Sequence, residues 1–264
     1  MKKSFVTDAI NLRNYPLNDN DSIVVMFSKT KGLMKAIAKG SKSPKSKIGA
    51  RIQMFIANRL MLNEGKNFDV ISQAQSLNTF CKIRNDFDKL TYSMYVAELV
   101  NTFCSKFYNK DENTKEIYEL IFKTYNRIAD AKNKDGVLVS VIKFLIKFLD
   151  VLGWGIDLHY CSTCQRKLDD DISKSNVFSF ETGGFVCGEC VQKTTSSINI
   201  HNKIRMLLIE QQNTSMDEKT KYDDIAGTFV LEKCFNFLKK YTDNLTNKRT
   251  HVFEVLENVE NLQF

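Results

Sequence analysis

Four of the seven cysteines form two closely spaced pairs in the middle of the chain. Cys161 and Cys164 make one Cys-x-x-Cys pair, and Cys187 and Cys190 make another after 22 intervening residues. Each such turn presents two thiolates to adjacent corners of a tetrahedron, so the two turns together supply four sulfur ligands. Because four protein ligands leave no position for water or substrate, the pattern predicts one structural Zn²⁺ ion. The spacing is slightly longer than the usual 15 to 20 or so residues, and we expect the polar run 169–175 to be a hairpin tip that absorbs the excess.

Other thiol chemistries fit the sequence less well. A thioredoxin-like dithiol uses one pair beside a βαβ unit, whereas two pairs are present here. Disulfides are disfavoured because the sequence opens Met-Lys-Lys-Ser-Phe without an apolar signal segment and has an odd number of cysteines. His159 lies two residues before the first pair and is a less favoured replacement ligand. The remaining thiols, Cys81, Cys104 and Cys234, fall on apolar helix faces, where we expect them to be buried.

No residue pattern indicates a catalytic centre. His159, His201 and His251 do not combine with a cysteine or carboxylate pattern that would make a nucleophile and its base. The sequence contains neither a phosphate-binding glycine loop of the common kinds nor a His-Glu-x-x-His motif. Acidic runs at residues 169–171 and 223–224 lie in polar stretches that are typical of solvated loops or helix starts. The sequence therefore predicts a protein that is not an enzyme.

Positive charge is concentrated near the N-terminus. The formal net charge is +7, yet residues 1–60 contain 12 lysines and arginines against 3 aspartates, and no acidic residue lies between Ser22 and Asn63. A codon bias toward lysine would not exclude acids from one window, so we interpret this window as a polyanion-binding face with nucleic acid as its partner. The candidate DNA-binding residues are Lys29, Lys31, Lys35, Lys39, Lys42, Lys45, Lys47, Arg51 and Arg59.

The same N-terminal region has the pattern of a small β-barrel. Runs of β-branched and aromatic residues bounded by turn residues predict strands at residues 5–12, 22–27, 32–38, 52–62 and 68–75. Five short antiparallel strands suit an OB-fold, which binds single strands across its second and third strands and their loops. Residues 1–79 are therefore expected to form a nucleic-acid-binding barrel, in which Phe27 and Phe55 either stack on bases or belong to the core.

Helical periodicity begins after the barrel. Apolar residues recur at helical spacing in residues 85–107, 113–132, 135–152, 200–212 and 223–244. Asp135 is expected to N-cap the third of these helices, and Gly153 is expected to end it. The predicted fold class is thus α+β, with an N-terminal OB-fold β-barrel followed by an α-helical domain at residues 80–264, into which a four-cysteine zinc module at residues 159–193 is inserted.

Several motifs support a family resemblance. They include the basic loop Lys-Gly-Ser-Lys-Ser-Pro-Lys-Ser at residues 39–46 and Ala-Glu-Leu at residues 97–99. The most specific stretch runs from Leu-Gly-Trp at residues 152–154 into the first cysteine pair, and Gly-Gly-Phe-Val at residues 183–186 leads into the second. In these motifs, and in the order of its elements over essentially the whole chain, the sequence resembles the bacterial RecO family of recombination mediators.

The resemblance implies a function as well as a fold. RecO proteins bind single- and double-stranded DNA, anneal complementary strands without ATP, and act with RecR, and often RecF, to load RecA on DNA coated by the single-strand-binding protein SSB. The resemblance also implies contact with the acidic C-terminal tail of SSB, a cytoplasmic, nucleoid-associated location and no membrane partner. Some relatives lack the cysteines, which implies that zinc supports the fold. This sequence uses lysine where arginine is frequent in the family.

Other functions are compatible with parts of the sequence. The helical, zinc-containing part could be chiefly a docking platform for the SSB tail and RecR, with DNA binding incidental. A zinc-ribbon transcription regulator would show a strong sequence preference, which a lysine-rich grip on the DNA backbone does not predict. A metal-dependent nuclease or a ligase would need clustered acids or a nucleotide-binding lysine motif, and the sequence shows neither.

Overall fold

The chain folds into two compact units in a computed structural model that describes residues 3–106, 113–171, 173–220 and 227–253. The first unit contains the described residues up to Asp130 together with those from Thr250 onward, and the second contains Ala131–Arg249. No helix within these four ranges is long and apolar enough to cross a membrane. Each unit has strands and helices of its own.

Five strands close into a barrel in the first unit. They are β1 (Ser4–Pro16), β2 (Ser22–Ser28), β3 (Gly32–Ala38), β4 (Ala57–Asn63) and β5 (Asp69–Asn78). Hydrogen-bonded neighbours follow the order β1-β2-β3-β5-β4, and β1 pairs with β4 to close the barrel. Pairing is antiparallel except between β3 and β5, which are parallel. The predicted OB-like barrel and the α+β fold class are confirmed.

The fourth strand begins later than the sequence predicts. A short 3₁₀ turn covers Gly49–Ile52, and Phe55 has a left-handed backbone with φ of +69°, so the chain cannot continue as a strand there. The buried Asn11 side chain holds this irregular segment by donating to the carbonyl oxygens of Arg51 at 2.8 Å and Gln53 at 2.9 Å. These side-chain bonds replace the ladder bonds that a strand would make.

The barrel interior is filled by small and medium apolar side chains. Because successive residues of a strand point to opposite faces, one alternate set from each strand points inward. The buried core cluster consists of Ala9, Val24, Met26, Ala36, Ala38, Ile52, Leu60, Leu62 and Ile71. The intervening residues of β2 and β3 therefore point to the outside of the barrel.

Helices cover part of that outside surface. The first unit continues with α1 (Cys81–Arg84), α2 (Phe87–Lys106) and α3 (Thr114–Asp130), and α2 and α3 pack against β1 and β3. Helix α3 also contacts β2. Ile10 and Phe27, which are paired across β1 and β2 on the outer face, are completely buried. On the outer surface of β1 and β2, only the part away from Ile10 and Phe27 can therefore be open to a binding partner.

Among its described residues, the second unit combines three α-helices with a small sheet. Its helices are α4 (Lys134–Val151), α5 (Asn202–Asn213) and α6 (Thr228–Thr246), and α4 packs against both of the others. Three antiparallel strands, β6 (Ser175–Ser179), β7 (Gly184–Val186) and β8 (Ser197–His201), form a sheet in the order β7-β6-β8. This sheet and the four cysteines lie between α4 and α5 in the sequence.

The ends of α4 differ in how well the sequence predicts them. The N-cap is Asn133 and not Asp135, because the Asn133 side chain accepts a hydrogen bond from the backbone N–H of Gly136 at 3.0 Å. The C-terminal prediction is confirmed: Gly153 has φ of +78°, the left-handed conformation that commonly ends a helix. Trp154 and the cysteine pairs follow this stop.

Candidate metal centre and nucleic-acid interface

The four paired cysteines converge on one point. Their sulfur atoms all lie within 4.8 Å of one another, and the Sγ atoms of Cys164 and Cys187 are 3.6 Å apart. Tetrahedral thiolate ligands with zinc–sulfur bonds of about 2.3 Å would be separated by about 3.8 Å. Cys161 and Cys190 are buried, whereas Cys164 is exposed. The cluster therefore has the composition and size of a site that can hold a metal ion, and no histidine belongs to it within the described residues.

Short-range hydrogen bonds shape the two cysteine turns. In the first turn, the N–H of Cys161 donates to the carbonyl of Arg166, and the N–H of Gln165 donates back to Cys161. Gln165 adopts φ of +59° to close that turn. Between the turns, the backbone N–H of Cys187 donates to the Cys161 sulfur at 3.3 Å. An N–H aimed at a sulfur stabilises its thiolate form, which is the form that binds a metal.

The pKa values of two of the clustered thiols also favour binding of a cation. Burial opposes ionisation of Cys161, but hydrogen bonds from backbone N–H groups, including that of Cys187, lower its pKa to about 6. Burial and hydrogen bonds with the other thiols raise the pKa of Cys190 to about 12, and the charge of Cys161 adds to this effect. Without a cation, the charge of Cys161 therefore opposes ionisation of Cys190. A divalent cation would remove that repulsion and allow four thiolates to form.

The first cysteine turn is docked on strand β7. The N–H of Ser162 donates to the carbonyl of Phe185 at 2.8 Å, and the Ser162 hydroxyl is 2.8 Å from that of Thr182. Gly184 makes this approach possible, because a Cβ at that position would lie 2.8 Å from the Cβ of Ser162. An ion pair of 2.6 Å between the side chains of Arg166 in one turn and Glu189 in the other also joins the two turns.

Sequence reasoning missed Arg205, which is completely buried in α5. Its guanidinium donates to the carbonyl oxygens of Leu158 at 2.6 Å and Asp169 at 2.7 Å, and to the carboxylate of Asp170 at 2.7 Å. Asn202, on the same helix, donates to the Asp169 carbonyl as well. The polar run was wrongly predicted to be a hairpin tip, because β6, the strand that follows it, pairs with β7 and β8 and, within the described residues, with no preceding strand. The first part of the run is anchored to α5 instead. A lone arginine among helical residues gives no sequence signal of burial.

Replacing Arg205 with methionine should destabilise the second unit by about 3 to 5 kcal/mol, because buried carbonyl groups would lose their charged donor. Urea unfolding followed by the fluorescence of Trp154, the single tryptophan, would measure the loss. Lys203→Met, an exposed change two residues earlier on α5, is the matched control and should change stability by less than about 0.5 kcal/mol. Equal midpoints for the two variants would contradict an anchoring role for Arg205.

The thiols outside the cluster only partly follow the sequence prediction. Cys104 and Cys234 are buried as expected, and burial raises the pKa of Cys104 to about 12. Cys81 is exposed at the start of the short helix α1, so its predicted burial is wrong. A four-residue helix has too little surface to bury a complete apolar face.

Three of the nine candidate DNA-binding residues have a carboxylate partner within the first unit. The Lys29 ammonium is 2.6 Å from the Glu119 carboxylate of α3, and Arg59 on β4 pairs with Asp8 on β1 at 2.8 Å. The Lys31 nitrogen lies 3.3 Å from the centroid of the Phe5 ring and 3.9 Å from the Glu64 carboxylate. These three cations are at least partly neutralised by their own surroundings.

The other six candidates lie along β3 and the connection that follows it. Lys35 is in the middle of β3, and the remaining five, Lys39, Lys42, Lys45, Lys47 and Arg51, lie between the end of β3 and the end of the 3₁₀ turn. None of these six has a carboxylate within ion-pair distance among the described residues. We call residues 39–51 the basic connection. Since β3 has seven residues, its length of about 23 Å separates this connection from the β2–β3 turn.

The start of the basic connection is tied to the turn between β1 and β2. The backbone N–H of Gly40 donates to the Asp21 carboxylate at 2.8 Å, which lowers the pKa of that carboxyl. The N–H of Lys42 donates to the carbonyl of Asn20, and its ammonium donates to the carbonyl of Asn18 at 2.6 Å. The connection is therefore a structured segment at its beginning, and Lys42 contributes to its shape as well as to its charge.

The two predicted stacking residues are not accessible. Phe27 and Phe55 are 0% and 1% exposed, and the Phe55 ring meets the Tyr125 ring of α3 edge to face at 5.5 Å. Their core role, which the sequence left open, is the one that the structure supports. Arg13 and Tyr15 lie on β1, and both have exposed surface. Sequence reasoning did not select them, because the first strand was predicted to end at residue 12 and the acid-free window begins at Ser22, whereas β1 continues to Pro16.

These features define the class of protein: an α+β chain with an OB-like barrel, a separate helical unit and a four-cysteine cluster able to hold a metal ion. The model for the N-terminal part of recombination protein O matches residues 1–80, and the model for its C-terminal part matches residues 84–218. The chain therefore belongs to the recombination protein O, or RecO, family, and the resemblance found in the sequence is confirmed.

Individual relatives agree with this assignment. The chain is 32% identical to the DNA repair protein RecO of Oceanobacillus iheyensis over 76% of this chain and 73% of that protein. It is 31% identical to the protein of the same name from Nostoc sp., over 72% of this chain and 64%, just under two thirds, of the Nostoc protein. The relative from Clostridium acetobutylicum is 24% identical over 86% of this chain and 91% of its own length.

Proposed function

We propose that this chain is a DNA-binding recombination mediator in DNA repair that has no catalytic centre of its own. It binds single- and double-stranded DNA, anneals complementary strands, and acts with RecR and RecF to help load RecA on DNA coated by SSB, whose acidic tail it contacts. Membership of a family whose relatives are named DNA repair proteins supports this role. The proposed location is the cytoplasm, in association with the nucleoid.

The observation that carries the proposal is the basic connection. Its cations and Lys35 have no carboxylate partner among the described residues, whereas Lys29 and Arg59 have one. A cluster of cations without carboxylate partners repels itself, so it is stabilised by a polyanion that brings phosphates to it. The hydrogen bonds from Gly40 and Lys42 to the β1–β2 turn reduce the freedom that the connection would lose on binding.

Annealing follows from the same charges. Two single strands repel each other through their phosphates, and a protein that neutralises part of both backbones lowers that repulsion. The complementary bases then supply the specificity, so the protein itself needs no base-pair readout. No nucleotide hydrolysis is required for this step.

We propose that the four clustered cysteines hold one structural Zn²⁺ ion. The separation of 3.6 Å between two of the sulfurs and the set of four thiol ligands support this choice of metal. With four protein ligands, the ion would brace the two cysteine turns and would leave no position for a reacting group. The chain's own backbone N–H groups would stabilise the thiolates around it.

A strand-annealing assay tests the proposed function. Two complementary labelled oligonucleotides coated with SSB should anneal faster with the protein than without it, at low salt and without ATP. Raising the salt from about 50 to about 200 mM should remove most of the acceleration, because phosphate contacts weaken with salt. Annealing that is no faster than with SSB alone at either salt concentration would contradict the proposal.

A further inference from the structure

A bulge in β1 determines which of its side chains reach the barrel surface. Asn11 pairs with Met26, but Arg13 pairs with the very next residue of β2, Val25, so Leu12 has no partner opposite it. A bulge of this kind shifts the alternation of the strand by one residue and can re-aim the side chains that follow. Residues that would otherwise point into the barrel after this position are therefore directed outward.

The strand register places these side chains in two rows on the outer face. Val25 pairs with Arg13 on one side and with Lys35 of β3 on the other, which forms a first row. Ile23 pairs with Tyr15 and with Ile37, which forms a second row. Directly opposed residues of neighbouring strands project from the same face, with Cβ atoms about 5 Å apart. An aromatic ring and two branched aliphatic side chains thus lie beside two exposed cations.

Two features of this surface indicate the kind of ligand that it could bind. The Arg13 guanidinium lies 4.9 Å from the centroid of the Tyr15 ring, so two planar groups are held together on one strand. Tyr15, Ile23 and Ile37 are all partly exposed, unlike the pair formed by Ile10 and Phe27 farther along the same strands. Immediately after β3 the basic connection begins with Lys39, so the surface adjoins the proposed phosphate-binding residues.

We propose that Arg13 and Tyr15 form a base-contacting platform that makes this barrel favour single-stranded DNA. Unpaired bases would stack on the Tyr15 ring and the Arg13 guanidinium while the phosphates lie against Lys35 and the basic connection. This inference rests on the proposed DNA-binding function and adds a preference between strands to it. Every unpaired base offers a stacking face, whereas bases within a duplex are already stacked on each other. The combination of a planar pair with cations that have no carboxylate within ion-pair distance among the described residues favours a nucleic acid strand over an apolar peptide as the occupant.

The test compares three DNAs of the same length, about 20 nucleotides, which exceeds the site size of one OB-fold. They are an oligo-dT, an oligonucleotide whose central residues are abasic, and a blunt duplex. The abasic strand keeps the phosphates and removes the stacking faces. Wild-type protein should bind oligo-dT about 5- to 100-fold more tightly than the abasic strand, which corresponds to the loss of stacking on one base. Fluorescence anisotropy at one fixed salt concentration would measure all three affinities.

Two variants assign the preference to the platform. Tyr15→Ala should weaken binding to oligo-dT by a factor in the same range, change duplex binding by less than about twofold, and leave the salt dependence unaltered because no charge is removed. Tyr15→Phe keeps the ring and should bind like the wild type.

Equal affinity of the wild type for the dT and abasic strands would overturn the inference while leaving the proposed function intact. This measurement does not depend on whether a variant folds. An equal loss of single-strand and duplex binding in Tyr15→Ala would overturn it as well. A wild type that binds none of the three DNAs would instead overturn the proposed function, and this inference with it.

Discussion

Changing Lys39, Lys45 and Lys47 together to glutamate should lower the affinity for single-stranded DNA about 100-fold at about 0.1 M salt. If each lysine contacts one phosphate, the variant loses three of about six contacts, and the slope of log affinity against log salt should become less steep by about 2. Double-stranded DNA should be affected in the same direction, because both forms present the same phosphates. These three lysines are exposed and have no carboxylate partner among the described residues, so the fold should be retained.

The matched control has the same change in net charge at another place. Lys203, Lys240 and Lys248 are exposed residues of the second unit, and their replacement by glutamate changes the net charge by the same amount. This control should bind DNA within about threefold of the wild type, since long-range repulsion is screened over roughly 10 Å at about 0.1 M salt. Equal losses in the two triple variants would mean that net charge, and not the basic connection, determines binding.

Removing the metal should have its largest effect on the stability of the second unit. Loss of the ion removes the atom that would join Cys161, Cys164, Cys187 and Cys190, so the two turns lose their shared ligand bonds. Because metal binding in such sites contributes directly to folding, the unfolding midpoint should fall by about 10 °C or more. Trp154 emission reports on this unit, since it is the single tryptophan of the chain and precedes the first cysteine turn. A colorimetric assay should find one zinc ion per chain before chelation.

Two variants separate metal binding from general cysteine chemistry. Cys161→Ser should lose the zinc and melt early, whereas Cys81→Ser changes an exposed thiol outside the cluster and should retain both zinc and stability. DNA affinity should change less than about threefold in either variant, because the proposed phosphate contacts lie in the first unit. A protein that melts at the same temperature with and without metal would contradict the bracing role. If loss of zinc abolished DNA binding but spared the barrel, a DNA contact in the second unit would have to replace the one proposed.

The metal cluster and the barrel were predictable for different physical reasons. Cysteine pairs at a two-residue spacing form a local turn, so their geometry depends little on the rest of the chain, and the four sulfurs do converge. The strands were predictable because β-branched residues alternate with others over short, turn-bounded runs. The acid-free window contains the cations that follow β3. It could not show that Lys29 and Arg59 would meet Glu119 and Asp8, because those partners are 90 and 51 residues away in the sequence.

Tertiary packing determined what the sequence did not reveal. Phe27 was a plausible stacking residue only while its strand face was assumed to be open, and packing of α2 and α3 on the barrel makes it core. Tyr15 was overlooked because the first strand was predicted to end at residue 12, whereas β1 continues past the bulge at Leu12 to Pro16. Arg205 was overlooked because burial of a cation depends on carbonyl groups from distant loops. The errors on Phe27 and Arg205 concern which face of an element is covered, and a local pattern carries no information about that.

The most direct test of the central claim is the salt dependence of single-strand binding by the unmodified protein. If Lys35 and the five cations of the basic connection contact about six phosphates, log affinity should fall with log salt at a slope of about −4. The measurement needs only a labelled oligonucleotide and a series of salt concentrations between about 50 and about 300 mM. A slope near −4 would support the basic connection as the DNA-binding site. A nearly flat response would contradict it and would leave docking to other proteins as the better account of this chain.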